Sequence, residues 1–222
     1  MQFDRPEAIL IDLDGTLVDS VPDLAWAADR MMEELDLEAP GIERARNWVG
    51  NGVERFVKRA LTGELEAEPE QDLYARGYEV FYRYYQQTNG KRSCLFPGIK
   101  EGLKALQAMN IKLGCVTNKA EAFTIPLLES LGVLPYFEVV VSGDTLEFKK
   151  PRPEPLWYGI EKLGSQPESA MMVGDSRHDV EAARNAGMRI VAVPYGYNHG
   201  EDVGLSNPDA VINSLEELPQ LI

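Results

Sequence analysis

Two carboxylates, set two positions apart at the end of an apolar run, are the first residues of this chain equipped for chemistry. The run Ala8-Ile9-Leu10-Ile11 breaks off at Asp12-Leu13-Asp14-Gly15-Thr16. Successive side chains of a strand point to opposite faces, so Asp12 and Asp14 share a face if the strand stays regular. Gly15 permits a sharp turn behind them, and Thr16 adds a hydroxyl and a backbone N–H. Neighbouring carboxylates repel, and a divalent cation that takes hard oxygen ligands is the simplest group to hold them together. Later apolar runs end in the same way. Thr117-Asn118 follows the run 112–116, Lys150 follows 137–141, and Gly174-Asp175-Ser176 with Asp179 follows 170–173. In a parallel sheet these ends lie on one side, where ligands bind. A carboxylate nucleophile, a cation, a lysine and N–H donors suit phosphoryl transfer.

Those ends must be carried by alternating strands and helices. Ser20-Val21-Pro22-Asp23 reads as a helix start, with Ser20 capping and Asp23 reciprocating, and Leu24, Ala28, Met31 and Leu35 continue at helical spacing. Ala39-Pro40-Gly41 breaks the pattern. Two further helices are predicted around 53–61 and 73–87, the second carrying Tyr74, Tyr78, Phe81, Tyr82, Tyr84 and Tyr85 as a core stripe. No strand is predicted between residues 17 and 91. From Pro97 onward, strands at 112–116, 137–141, 170–173, 189–193 and 210–212 alternate with helical stretches, one of them running through 180–186 and another closing the chain. This alternation predicts an α/β fold, a Rossmann-like parallel sheet with helices on both faces. Residues 1–17 and 93–222 would form the catalytic core, and 18–92 an inserted α-helical cap.

The chain has 222 residues, 44% of them hydrophobic, enough for a sizeable core, and a formal net charge of −14. Such a surface repels phosphate backbones and anionic lipid, so neither nucleic acid nor membrane is an expected partner. A small anionic substrate is compatible, because a cation and a few local lysines outweigh a distant field. The two cysteines, Cys94 and Cys115, read as unpaired thiols. With no signal peptide and no apolar run of membrane length, a cytoplasmic protein is expected. The sequence says nothing firm about oligomeric state.

Taken in order, Asp12-Leu13-Asp14-Gly15-Thr16, Thr117-Asn118, Lys150 in Lys-Pro-Arg-Pro, and Gly174-Asp175-Ser176-Arg177-His178-Asp179 resemble the four motifs of the haloacid dehalogenase superfamily of phosphohydrolases. The resemblance spans the whole core, and the insert resembles that superfamily's small helical cap. Trp48-Val49-Gly50-Asn51-Gly52 and Tyr195-Gly196-Tyr197-Asn198-His199-Gly200 are similar to the branch that hydrolyses 2-phosphoglycolate, though less specifically. The resemblance implies that Asp12 is the nucleophile, forming an aspartyl-phosphate, and that Asp14 is the general acid and base. It implies Mg²⁺ bound by Asp12, the Asp14 backbone carbonyl and Asp175, with Asp179 behind them. Thr117, Asn118 and Lys150 would hold phosphoryl oxygens. The cap loop Gly50-Asn51-Gly52 would approach the substrate, with Arg46 or Arg55 placed to meet a carboxylate; a plain turn between cap helices explains the same glycines.

His178 and His199 receive no catalytic role, being expected on a helix-start loop and a surface loop. A β-phosphoglucomutase-like phosphomutase and a pyrophosphatase share most of these residues, although Thr16 leans against the mutase. A dehalogenase would lack the Asp14 carboxylate. A phospho-accepting signalling domain of the receiver type also uses an aspartyl-phosphate, but its aspartate follows a later strand and it has no helical insert.

Overall fold

In a computed structural model that describes residues 3–222, the central strand is β1 (Ala8–Ile11). The sheet is completed by β4 (Lys112–Val116), β5 (Val139–Val141), β6 (Ala170–Gly174), β7 (Arg189–Ala192) and β8 (Ala210–Val211). Among the described residues these six strands run in the order β5-β4-β1-β6-β7-β8, every pairing parallel. The chain adds strands on one side of β1 and then returns to add them on the other. The carboxyl end of β1 is therefore the switch point of a doubly wound sheet, where a crevice opens between diverging connections.

All four residues of β1 are buried because both faces of the sheet are covered, which is why the strand reads as an unbroken apolar run. Ile9 and Ile11 join a cluster with Leu103, Leu106, Leu127 and Leu128, from α5 (Ile99–Ala108) and α6 (Glu121–Ser130). Ala8 and Leu10 face the other way, onto Leu156 and Ile160 of α7 (Glu154–Lys162) and Val180 and Ala183 of α8 (Arg177–Ala186). The two-residue period of the strand sorts its side chains between the two helical layers.

Between β1 and α5 lie α1 (Val21–Glu34), α2 (Gly41–Arg46), α3 (Val53–Thr62) and α4 (Gln71–Thr88). They share a separate apolar cluster built on Leu24, Ala28, Met31, Phe56, Val57, Phe81 and Tyr85, which Phe123 of α6 and Tyr197 enter from the sheet side. Of the aromatic stripe, Phe81 and Tyr85 are fully buried, while Tyr74, Tyr78, Tyr82 and Tyr84 pack half-buried against the cluster. Tyr82 and Tyr85 also meet the Phe123 ring, at centroid distances of 5.0 and 4.6 Å.

Local details depart from the sequence reading. The insertion is not strand-free at its margins: β2 (Val18–Asp19) pairs antiparallel with β3 (Cys94–Leu95), tying together the two segments that cross between layers. A two-residue ladder is too short to show any alternation. Ala39-Pro40-Gly41 introduces α2, with Pro40 at its N-cap. Helix α8 begins at Arg177, where a Ser176–Asp179 capping box starts it, and the chain closes on a 3-10 turn at Leu215–Gln220.

Ser20 and Asp23 form no reciprocal cap, since the Ser20 side chain makes no capping bond. Asp23 is instead fully buried and accepts hydrogen bonds from Thr88 Oγ1 (2.6 Å), the backbone N–H groups of Gly90 (2.9 Å), Arg92 (3.1 Å) and Ser93 (3.0 Å), and the Ser93 hydroxyl. One carboxylate thus gathers the return segment of the insertion. Asp23→Ala leaves those donors without an acceptor and is expected to cost roughly 3 kcal/mol, since hydrogen bonds to a buried charge contribute most when one partner is removed. Urea denaturation with chelator present measures it, and a loss below about 1 kcal/mol would show that water replaces the carboxylate.

Candidate active site

Residue Ile11 is level with Cys115 on one side and Val173 on the other, so β1, β4 and β6 end together. The residues that follow are therefore brought to one place: Asp12 and Asp14, Thr117 to Lys119, and Asp175 to Asp179. The loop after β5 brings Lys150. Its side chain is buried, and its ammonium donates to Asp12 Oδ1 at 2.6 Å, Asp179 Oδ1 at 2.7 Å and the Val116 carbonyl at 2.8 Å. Asn118 fastens that loop to the end of β4. Its Nδ2 donates to the Lys150 carbonyl and its Oδ1 accepts from the Lys150 N–H, both at 3.0 Å.

Asp175 is fixed from two sides, by the Thr16 hydroxyl at 2.8 Å and the Tyr197 N–H at 2.5 Å. Gly15 is required at this point. Its φ is +95°, and a Cβ there would lie 2.3 Å from Asp175 Oδ2. Asp179 accepts from Lys150 with one oxygen, and from Ser176 and the Asp175 N–H with the other.

Asp12, Asp175 and Asp179, all buried, each offer a carboxylate oxygen within 4.8 Å of the others. The Asp14 carboxylate stands apart from this group and accepts from Lys119 Nζ with both oxygens, at 3.0 and 3.1 Å. Burial, reinforced by Asp179 and Asp14 against the pull of Lys150, pushes the Asp12 carboxyl up to about 7. Burial, with Asp179 and Asp12, also holds Asp175 well above the usual carboxylate range. Asp179 is held low in spite of its burial, because Lys150 and Ser176 stabilise its charge. Three converging carboxylates with one ammonium among them lack positive charge, and their hard oxygen donors are the set that Mg²⁺ takes. The residues fit a divalent cation.

Above this group the layer of α1–α4 supplies Leu24, Val49, Val53 and Phe56, with the loop Gly50-Asn51-Gly52, to a cavity of about 60 Å³. Asp12, Asp14, Thr117, Asn118, Lys119, Lys150 and Asp175 line its floor. Gly50, Asn51 and Gly52 all have positive φ, at +114°, +64° and +84°, and a Cβ on Gly52 would meet the Asn118 carbonyl at 3.0 Å. Both histidines line the cavity too. His178 lies in the first turn of α8, with Nε2 3.1 Å from Asn51 Nδ2, and His199 Nδ1 lies 2.7 Å from the Asn47 carbonyl. They contact the loop above the site and take no place in the carboxylate group.

Neither arginine singled out from the sequence lines this cavity. Arg46 stacks over the Tyr197 ring, and Arg55 pairs with Glu66 and Glu68. The buried one is Arg59, which donates to the carbonyls of Trp48, Gly50 and Leu65 and to Asn51 Oδ1 and so holds the loop in shape. The sequence assigns no role to Lys119 or Arg59, and it marks Tyr197 only as part of a late-core motif. Lys119 had a signal, since it directly follows Thr117-Asn118 and a fourth carboxylate needed a cation.

The profile of the haloacid dehalogenase-like hydrolases matches residues 9–193 of this chain. The chain belongs to that family. A phosphoglycolate phosphatase of Nitrosococcus oceani is 54% identical over 218 residues, covering 98% of this chain and 97% of its own. Another, of Nitrosospira multiformis, is 48% identical over 223 residues, covering 100% and 98%. Among solved structures, a predicted phosphoglycolate phosphatase from Haemophilus somnus superposes with a TM-score of 0.91 at 32% identity, covering 98% of each chain. As a member of this hydrolase family, the protein is an enzyme, and a receiver-type signalling domain is set aside. No helix among the described residues is long and apolar enough to cross a membrane.

Proposed function

We propose that this protein is a Mg²⁺-dependent phosphatase that hydrolyses 2-phosphoglycolate to glycolate and phosphate through an aspartyl-phosphate on Asp12. The observation that carries the reading is the division of the carboxylates. Asp12, Asp175 and Asp179 converge around Lys150, while Asp14 is held separately by Lys119. One set can bind a cation and attack; the other can move a proton. The names of the two bacterial relatives support the substrate.

In the first step Asp12 attacks phosphorus, the ester P–O bond breaks, and the Asp14 carboxyl proton passes to the leaving alkoxide. In the second, Asp14 takes a proton from water whose oxygen attacks phosphorus, and the bond to Asp12 breaks. Lys150, Thr117 and the Asn118 N–H would hold the phosphoryl oxygens, and the Gly50–Gly52 loop would close over the ester. Mg²⁺ bound by Asp12, Asp175 and the Asp14 carbonyl, with Asp179 behind, would neutralise charge on the transferring group. Residues 18–92 act as a cap on a core of 1–17 and 93–222, and closure excludes bulk water. We place the enzyme in the cytoplasm, with a small phosphate ester as its partner.

The test is phosphate release from 2-phosphoglycolate, a panel of other small esters and pyrophosphate, with Mg²⁺ and with chelator. A preference for 2-phosphoglycolate that chelator abolishes is expected. An even spread over the panel would remove the substrate assignment, and release unaffected by chelator would remove the metal.

Cation affinity should also depend on pH. The Asp12 carboxyl is pushed up to about 7 without metal, and a cation needs it ionised. Asp175, also raised by burial, must be ionised too, so below about 7 at least one proton leaves for each cation bound and the Mg²⁺ Kd is expected to rise about tenfold or more per pH unit. Calorimetric titration without substrate reads this directly, and a constant Kd down to about pH 5.5 would contradict it.

A further inference from the structure

Lys119 is given no contact with the phosphoryl group above, yet it is as buried as Lys150, 4% exposed, and lines the same cavity. Its backbone is clamped: the Lys119 N–H donates to Thr117 Oγ1 at 3.2 Å, and its carbonyl accepts from the Gly143 N–H at 2.7 Å and Thr124 Oγ1 at 3.1 Å. Lys150 divides its ammonium among Asp12, Asp179 and a carbonyl, whereas the Lys119 ammonium donates to both oxygens of the Asp14 carboxylate. The Tyr85 ring from α4, fully buried, also lies against it, with its centroid 5.1 Å from Nζ. An ammonium in contact with a carboxylate and a buried aromatic face is attracted by both and has little reason to swing away.

The consequence falls on Asp14. That residue sits on the turn leaving β1, two positions from Asp12, where its carboxylate would otherwise be drawn to whatever cation Asp12 and Asp175 hold. We propose that Lys119 is a positioning residue, which keeps the Asp14 carboxylate apart from the cation-binding carboxylates and directs it at the leaving oxygen, with Tyr85 backing it from the helical layer. The inference rests on the phosphatase reading and deepens it. Lys119 acts through Asp14, first in the step in which the P–O bond breaks, its electron pair stays on the leaving oxygen, and the Asp14 proton moves to that oxygen.

Leaving-group dependence tests this, because kcat/KM reports the steps up to the first bond cleavage. The substrates are 2-phosphoglycolate, ethyl phosphate and p-nitrophenyl phosphate, with Mg²⁺ saturating. An alkoxide needs its proton in the transition state, whereas p-nitrophenolate departs without one. Lys119→Met is expected to lower kcat/KM about 100-fold for both alkyl esters and less than about threefold for p-nitrophenyl phosphate. In an Asp14→Asn background the same substitution should add almost nothing, as for two residues that act as one unit. Lys119→Gln carries the same comparison if the Met variant does not fold.

An equal loss on all three esters would overturn the proposal in favour of a structural role. A loss confined to 2-phosphoglycolate would overturn it in favour of direct recognition of the substrate carboxylate. If the unsubstituted enzyme released phosphate from none of them, the phosphatase reading would fall and take the proposal with it. Normal unsubstituted activity with a flat Lys119→Met profile would remove the proposal alone.

Discussion

Asp12→Asn is expected to lower kcat by on the order of 10⁴-fold or more while leaving the metal-free protein at least as stable as before. The substitution keeps the side-chain shape and removes the nucleophilic oxygen, so no covalent intermediate can form. Stability moves the other way for an electrostatic reason. Burial, with Asp179 and Asp14, pushes the Asp12 carboxyl in the fold up to about 7, well above the ordinary carboxylate range. A carboxyl raised in this way binds its proton more tightly in the fold than in the unfolded chain. The penalty is absent below the ordinary carboxylate range, grows as pH rises towards 7, and is complete above it. An amide at this position escapes the penalty at pH 8. Lys150 loses one partner but keeps Asp179 and the Val116 carbonyl. Steady-state phosphate release and urea denaturation in chelator measure the two effects. Turnover within tenfold of the unsubstituted enzyme would exclude Asp12 as nucleophile, and a clear fall in stability would show that the Lys150 pair outweighs crowding.

Lys150→Met carries the second large effect, and here activity and stability fall together. The ammonium is the shared partner of Asp12 and Asp179, and Asp175 stands beside them with no cation of its own among the described residues. Removing one partner of a buried pair strands the other charge, at a cost of roughly 3–5 kcal/mol. Here part of that cost is avoided, because Asp12 can take up a proton. Mg²⁺ should restore stability in part by supplying the missing charge, and it should not restore activity. The loss of one donor to the transferring phosphoryl group is expected to lower kcat by on the order of 10²–10³-fold. Lys150→Arg should not rescue, since a planar guanidinium does not fit a 4% exposed site shaped around a single ammonium. Denaturation midpoints with chelator and with Mg²⁺, beside kcat, decide the matter. Equal stability for Lys150→Met and the unsubstituted protein in chelator would mean that the carboxylates are not crowded enough to need the lysine or a cation.

The residues behind both predictions were legible in the sequence. Asp12, Lys150 and Asp175 each end or follow an apolar run, and a parallel sheet can place such ends only along one edge. Their convergence is therefore written in the strand periodicity, and the alternation of strands with helices dictated the doubly wound core. The covering of both faces dictated the unbroken apolar texture of β1 and β6.

What the sequence could not contain was the choice of partner for each charge. Asp23 at a helix start looks like half of a capping box, and local spacing says so, but tertiary packing buries it beneath the return segment 88–93. Arg55 and Arg59 are one helical turn apart. Only the fold decides that Arg55 meets Glu66 and Glu68, while Arg59 turns inward to hold the Gly50–Gly52 loop. The same holds for Lys119, whose Nζ reaches a carboxylate 105 positions away in the chain. Periodicity is a property of neighbours along the chain and survives in the sequence. Pairing between distant charges is decided by geometry that exists only after the layers have packed, and that geometry gives Asp12 and Asp14, two residues apart, separate lysines.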